Sequence, residues 1–418
     1  MAKIAQRYVS VDPFKIIEEG FHPERSKVSE SLFSLANEYC GIRGTFDEGT
    51  HFETLRGSYF NGVYDYAKED TPIHYKGIIQ RTHFMINSVD WIKVIIKLDH
   101  HTVKVDAKTQ GFRRELDMKS GLLSREFDFE TELGLFHIKF TRFLSMVDCH
   151  RAYQTIEITS DHETTAEIEF FLDSKVLHWG HDCFYKGLKN YHEEDTFGTI
   201  NETLTTGQKV ASFMHLDIPQ EGKFVNHDRG VSVKYAIPLK AHQVRVFTRF
   251  VVNLVDKNQS QSVASMIKDG VKELRDSVNE GYLGALDKNK AFWKNVWDKS
   301  DIVIEGDPIN QQGIRFNIFQ LTQTYHGFDP HNNIGAKGLT GEAYSGHAFW
   351  DSETYSLPFY LFNNPDGAKN LLMFRYYTLP QATERAQMLD CKGACYPIAT
   401  LNGKEGCNLG QHASLQFH

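Results

Sequence analysis

The sequence predicts a large antiparallel β-sandwich, then a helical linker, then an all-helical region. Three observations carry this reading. Up to about residue 256, apolar residues mostly recur with a period of two, and no helical run separates the alternating stretches. From residue 262 the period lengthens to that of a helix. At 418 residues the chain is also too long for one ordinary hydrophobic core, so two or more domains are expected. The expected division is a sandwich over 1–257, a linker over 258–300 and a helical domain over 301–418.

Each element follows from its pattern. In WIKVIIKLDHHTVKV (91–105), Ile92, Val94, Ile96 and Leu98 alternate against Lys93, Lys97 and Asp99. LFHIKFTRFLSM (135–146), YQTIEI (153–158), AEIEFFL (166–172), VSVKYAIPL (231–239) and VRVFTRFVVNL (244–254) repeat the theme. Such strands, joined by short polar turns, read as an antiparallel sandwich and not as βαβ units. In SVASMIKDGVKELRDS (262–277), Val263, Met266, Ile267, Val271 and Leu274 share one helical face, and Ser262 is placed to cap its start. AFWKNVWDK (291–299) sets Trp293 and Trp297 one turn apart, beside Val296. These two helices are expected to lie across the sandwich.

Asp307-Pro308 supplies a cap and first turn for a helix with the stripe Ile314, Ile318 and Leu321. DSETYSLPFYLFN (351–363) predicts a second helix, kinked or broken early by Pro358. AKNLLMFRYYTL (368–379) predicts a third, and PQATERAQMLD (380–390) a fourth, opened by Pro380. Four such helices leave apolar stripes without neighbours, so the helical domain is expected to be unfinished within these residues.

Composition narrows the function. A net charge of −8 argues against nucleic acid or an anionic membrane as the main partner. No stretch is apolar for the length of a membrane helix, and the first twenty residues lack the apolar core of a signal peptide, so a cytoplasmic location is expected. The six cysteines are scattered; Cys391 and Cys395 stand in CKGAC without a histidine pair at zinc-finger spacing, which predicts free thiols. His326, His331 and His347 are too irregular for a metal triad, and no phosphate-cradling or nucleophile-elbow motif occurs. No metal or cofactor is expected.

One stretch concentrates chemistry. GEAYSGHAFWDSETYSLPFY (341–360) crowds Tyr344, His347, Trp350, Asp351, Glu353 and Tyr355 into a short window where a loop becomes a helix. The loop before it, NNIGAKGLTGEAYSG (332–346), has glycines that let backbone approach a ligand closely. Sugar sites need aromatic faces for the C–H side of the ring and carboxylates that accept paired hydrogen bonds from hydroxyls. Trp350-Asp351 supplies both. On spacing alone the competing reading stands beside it, in which Asp351 or Ser352 is an N-cap and Trp350 a core residue. Asp351 and Glu353 cannot form a facing acid/base pair, because positions i and i+2 of a helix diverge. Lys337 is a candidate for phosphate or sugar hydroxyls or a solvated loop lysine, Glu342 a sugar ligand or a loop brace, and His347 a hydrogen-bonded structural residue.

These residues resemble a known family. IGAKGLTGEAYSGHAFWDSETYSLPFY (334–360) is similar to the signature loop and helix of glycoside hydrolase family 65, the inverting α-glucoside phosphorylases that act on maltose, kojibiose, nigerose, trehalose or glucosylglycerol. SESLFSLANEYCGIRGTFDEG (29–49), GSYFNGVYDY (57–66), FMINSVDW (84–91) and GACYPIATLNGKEGCN (393–408) resemble other blocks of it, in order along the chain. Glu38 and Gly410 depart from the pattern, which often has glycine and a bulky aromatic there.

The resemblance implies that the helical domain is the start of an (α/α)6 catalytic barrel, incomplete here. It implies that Trp350 and Asp351 bind the glucosyl unit, with Tyr325, Lys337 and Glu342 near the mouth of the site and Tyr344 and His347 as further candidates. It implies inorganic phosphate as co-substrate, an α-glucoside as substrate, and a general-acid glutamate beyond residue 418. A homodimer, or association with a chain supplying the rest of the barrel, is the expected assembly. The alternatives are a trehalose-like hydrolase of the same family and a non-catalytic carbohydrate-binding fragment.

Overall fold

The computed structural model describes residues 7–68, 77–178 and 183–406; Cys407, Gly410 and the remainder of the expected 301–418 domain lie outside the described residues. The alternating stretches become two large antiparallel sheets. Among the described residues, the first has ten strands. Its spatial order is Val9–Val11, Lys15–Glu19, Gln110–Asp117, Leu122–Glu130, Leu135–Leu144, Arg151–Ser160, Arg245–Asp256, Lys209–Asp217, Thr196–Thr203 and Tyr185–Glu193. The second runs Lys223–His227, Gly230–Leu239, Thr164–Asp173, Val94–Leu98 and His101–Thr102. Register follows the period-two pattern: Ile138 faces Ile158 across one pair, and Ile168 faces Tyr235 across another. Phe127, Ile138 and Ile156 of the first sheet and Ile96, Ile168, Val233 and Ile237 of the second are buried in one shared core. Each such side chain contributes about 1.5–3 kcal/mol by leaving water.

The stretch 91–105 is not one strand. Asp99 (φ 47) and His100 (φ 69) turn it back into a hairpin. Two consecutive left-handed residues match the right-handed twist of the flanking strands. The apolar alternation continues past the turn, so the pattern alone did not mark it.

The sandwich also buries charge. Arg142 donates to Asp47 Oδ2 at 3.0 Å and to the carbonyls of Arg43 and Thr45, and Arg125 pairs with Glu48. Burial would raise the Asp47 carboxyl, but the Arg142 and Arg125 guanidiniums outweigh it and hold Asp47 below its ordinary value. This network fixes the segment that carries Arg43 to the helical half. Two small sheets complete that seam: Leu35–Ala36, Cys40–Ile42 and Ser58–Phe60 form one, and Tyr64–Tyr66 with His83–Met85 the other.

Six α-helices are described: α1 (Ser26–Leu32), α2 (Val263–Ser300), α3 (Pro308–Thr324), α4 (Leu357–Asn363), α5 (Pro365–Tyr377) and α6 (Leu379–Met388). The two expected linker helices are joined in α2, which breaks only at Gly281 (φ 76, ψ 160). Ser262 caps it, its side chain accepting from the Ser265 amide. Met266 and Leu274 pack on Phe213, Phe250 and Tyr153 of the ten-stranded sheet. At Gly270 the helix lies so close that a Cβ would stand 2.1 Å from the Phe213 ring, so glycine is required. Asp307 caps α3, and Ile318 and Phe319 carry α3 into the main core. Pro358 does interrupt its helix: a π-helical turn, Ser352–Ser356, precedes α4. None of the described helices is long and apolar enough to cross a membrane.

Candidate functional site

Residues 325–351 link α3 to the π-helical turn, and the sandwich half grips this loop from one side. Arg43 Nη1 donates to the Thr340 carbonyl at 2.8 Å, and Tyr59 OH to Glu342 Oε1 at 3.1 Å. His178 Nδ1 lies 3.4 Å from the same Glu342 oxygen. Buried His347 donates through Nε2 to the His83 carbonyl at 2.8 Å, while Ala348 and Thr400 exchange backbone hydrogen bonds of 2.8 and 3.0 Å. Tyr344, Ser345 and Gly346 are all left-handed, at φ 56, 56 and 69. Gly346 is forced to be glycine, since a Cβ would approach Met85 Cβ to 2.6 Å. A run of strained non-glycine residues persists only where neighbours over-determine it, and such runs cluster at ligand sites.

The tethered loop delivers Trp350 and Asp351 to an open face. Trp350 keeps 47% of its surface exposed, which excludes the core reading. Asp351 is exposed, and its side chain caps nothing. Ser352 is not a cap either: its hydroxyl donates to the Ile334 carbonyl at 3.0 Å. Tyr355, 72% exposed, lies beside the pair, its ring centre 6.4 Å from that of Trp350, while Tyr344, 61% exposed, meets the Phe349 ring at 6.0 Å. Lys337 Nζ stands 5.6 Å from the Tyr344 ring. Behind them Arg375 binds Glu353 with two hydrogen bonds, 2.7 and 3.0 Å, and also reaches the Phe349 carbonyl, so the turn that presents Asp351 is braced from α5. π-Helical turns recur at functional sites, and this one begins at the residue after Asp351.

The other candidates occupy different places. Lys337 and Glu342 line a cavity of about 1010 Å³ between the loop and the sandwich half, with Arg43, Arg56, Lys93 and Leu177 on its far wall. Trp350, Asp351 and Tyr344 do not line it. Tyr325 is fully buried against Ile334, Tyr360 and Leu371, and burial, with Glu38 and Asp329 nearby, pushes its hydroxyl far above the ordinary tyrosine value. His347 is held neutral, burial lowering it to about 4. The open face thus carries Trp350 and Asp351 beside Tyr355, while Lys337 stands between Tyr344 and the cavity. It leaves Glu342 at the cavity, and Tyr325 and His347 inside.

Several residues of the site gave no local signal in the sequence. Arg375 lies 22 residues from Glu353, and Tyr59 lies 283 residues from Glu342. Tyr355 was visible only as part of the aromatic crowding.

Comparison with known proteins gives this geometry a context. The N-terminal domain of glycosyl hydrolase family 65 matches residues 16–296, and the central catalytic domain of that family matches 315–414. Maltose phosphorylase of Bacillus subtilis (strain 168) is 32% identical over 99% of this chain and 56% of its own length. An α,α-trehalose phosphorylase of Thermoanaerobacter brockii is 31% identical over 96% and 54%. A solved structure described as a candidate kojibiose phosphorylase from the human microbiome superposes with a TM-score of 0.96 at 46% identity, over 99% of this chain and 55% of that one. The chain therefore spans about half the length of these relatives. With a large antiparallel sheet domain, a helical region behind it and both family domains in sequence order, the chain belongs to glycosyl hydrolase family 65.

Proposed function

We propose that this chain supplies the glucosyl-binding part of an inverting α-glucoside phosphorylase. The observation that carries the reading is the exposed Trp350–Asp351 pair, held by the braced π-helical turn. The indole offers a flat face to the C–H side of a glucose ring, and the carboxylate accepts hydrogen bonds from adjacent hydroxyls. Tyr355 widens the ring platform, and Lys337 beside Tyr344 offers a cation on the loop that leads to it. The division into a sandwich over 1–257, a linker over 258–300 and a catalytic region from 301 fits this reading.

The chemistry needs one acid. A proton goes to the leaving glycosidic oxygen as the C1–O bond breaks, and a phosphate oxygen forms the new bond to C1 from the opposite face. Phosphate already carries the negative charge that water lacks, so no second carboxylate is needed as base. An α-glucoside then gives β-glucose 1-phosphate and the free acceptor, reversibly. We assign the general-acid glutamate and the phosphate pocket to the half of the relatives that this chain does not span, supplied by the same or an associating polypeptide. Substrate, phosphate and any second copy of the chain are its proposed partners, and no metal or cofactor takes part in the scheme.

Joining the chain to the remaining half of a family-65 barrel tests this. The assembled protein is expected to release glucose 1-phosphate from a disaccharide only when phosphate is present. Release of free glucose alone, unaffected by phosphate, would instead identify a hydrolase of the same family.

A further inference from the structure

Glu38 has a site built for it. It is fully buried and left-handed (φ 65), and its carboxylate accepts hydrogen bonds from four successive backbone amides: His326 (2.9 Å), Gly327 (2.7 Å), Phe328 (2.8 Å) and Asp329 (3.0 Å). Asn332 Nδ2 adds a fifth contact at 3.3 Å. Its main chain is held as well, the amide donating to the Gln323 carbonyl at 2.8 Å. Asn61 Nδ2 then bridges the Glu38 and Asn333 carbonyls, at 3.1 Å each. The next residue, Ile334, accepts from the hydroxyl of Ser352, the neighbour of Asp351.

We propose that Glu38 is a positioning residue for the Trp350–Asp351 site: a sandwich-half carboxylate that sets the loop after α3, and through Asn333, Ile334 and Ser352 sets where Asp351 stands. A row of amides converging on one anion is a rigid arrangement, because each donor restrains the next. Hydrogen bonds and one residue of main chain join Glu38 to Ser352 through Asn61, Asn333 and Ile334, so a shift at one end reaches the other through directional bonds. The Asp351 side chain makes no hydrogen bond with the described residues, which leaves its direction to this backbone path and to the Glu353–Arg375 brace. Only the ligand-binding arm of the inference rests on the function proposed above.

Amide hydrogen exchange on the 418-residue chain tests the path without a ligand. Glu38→Gln keeps the size but turns an NH2 toward amide donors. Amides 326–329 are expected to exchange about tenfold faster, and the loss to extend to 348–353. Loss confined to 326–329 overturns the inference. Ser352→Ala, which removes one hydroxyl, guards against a Glu38 variant that does not fold. It is expected to loosen 348–353 and leave 326–329 protected; unchanged exchange at 348–353 overturns the inference equally. Titration with maltose and kojibiose supplies the second arm, with Asp351→Asn as control. If the unmodified chain binds and Glu38→Gln binds about tenfold more weakly well below its melting temperature, positioning is supported. Equal affinity counts against it. If the unmodified chain binds neither sugar, the glucosyl-site reading fails, and the exchange arm alone decides the role of Glu38.

Discussion

The exposed Asp351 carboxylate caps nothing in the described structure, so its removal should separate binding from stability. Exposed substitutions away from caps and cores usually change stability by less than about 0.5 kcal/mol. A hydrogen bond to a charged group is worth about 1.5–3 kcal/mol, which is roughly a ten- to hundredfold change in affinity. Asp351→Asn is therefore expected to weaken α-glucoside binding by about that factor while leaving the melting temperature unchanged. Calorimetric titration beside a thermal melt checks both halves; a fall in melting temperature that tracks the lost affinity would return the carboxylate to scaffolding. The Trp350–Asp351 pair was legible because its chemistry is packed into adjacent positions. Glu38 was not: its amide partners lie 288 to 291 residues away, and backbone donors carry no signature in side-chain identity. In the sequence it stood out only as a departure from the glycine often found there. Its backbone is left-handed, a conformation glycine adopts without strain. Holding a side chain there costs about 1–2 kcal/mol, and several charge-assisted hydrogen bonds exceed that cost.

Among elements, the seam between the hairpin Tyr64–Tyr66/His83–Met85 and the glycine-rich loop carries a pH dependence. His83 and His347 meet edge to face, 5.1 Å between ring centres, and Gly406 packs so tightly against them that a Cβ there would lie 2.5 Å from His347 Nε2. Burial lowers His347 to about 4, and burial with the His347 ring lowers His83 to about 3. His83 Nε2 accepts from the Leu401 amide at 3.3 Å, a bond that protonation would abolish. Both folded values lie below the ordinary histidine value of about 6.5, so under acid the unfolded chain takes up protons that the folded chain refuses. The stabilisation is complete above about pH 6.5 and falls as the pH drops towards the folded values, by about 1.4 kcal/mol per pH unit for each imidazole. Urea unfolding at pH 7.5, 6 and 5 should show this slope, and His347→Gln should flatten it between pH 6 and 5 by about one imidazole's share. An unchanged slope in the variant would remove His347 from the account. The elements themselves were legible where periodicity was strong, as in the strands of 135–172 and 231–254. The helix across 278–290 was hidden by Gly281, Gly284 and mixed polarity; Ala285, Leu286 and Asn289 hold it by packing, which periodicity within so short a window does not show.

At the scale of the whole molecule, the change from period two to period 3.6 was enough to foresee sheets followed by helices, while the way the two halves share a core was not. Helix α3 belongs with the sandwich, since Ile318 and Phe319 join its core. Helices α4 and α5 rest on a much smaller cluster, Tyr325, Ile334, Tyr360, Ala368 and Leu371, and α4–α6 turn Leu361, Phe362 (83% exposed), Leu372, Tyr376 and Met388 to solvent. Apolar area left in water gives no stabilisation, so these helices depend on the seam hydrogen bonds and on that cluster. In urea, amides of α4–α6 are expected to lose protection at a lower concentration than the central strands Arg151–Ser160 and Arg245–Asp256, as followed by hydrogen exchange. Supplying the part of the relatives' length that this chain does not span should raise that concentration if it covers Phe362 and its neighbours. Simultaneous loss in the chain alone would mean that the seam couples α4–α6 to the sandwich as one cooperative unit, in which case the Glu38 cradle and the His83–His347 contact together outweigh the uncovered apolar face.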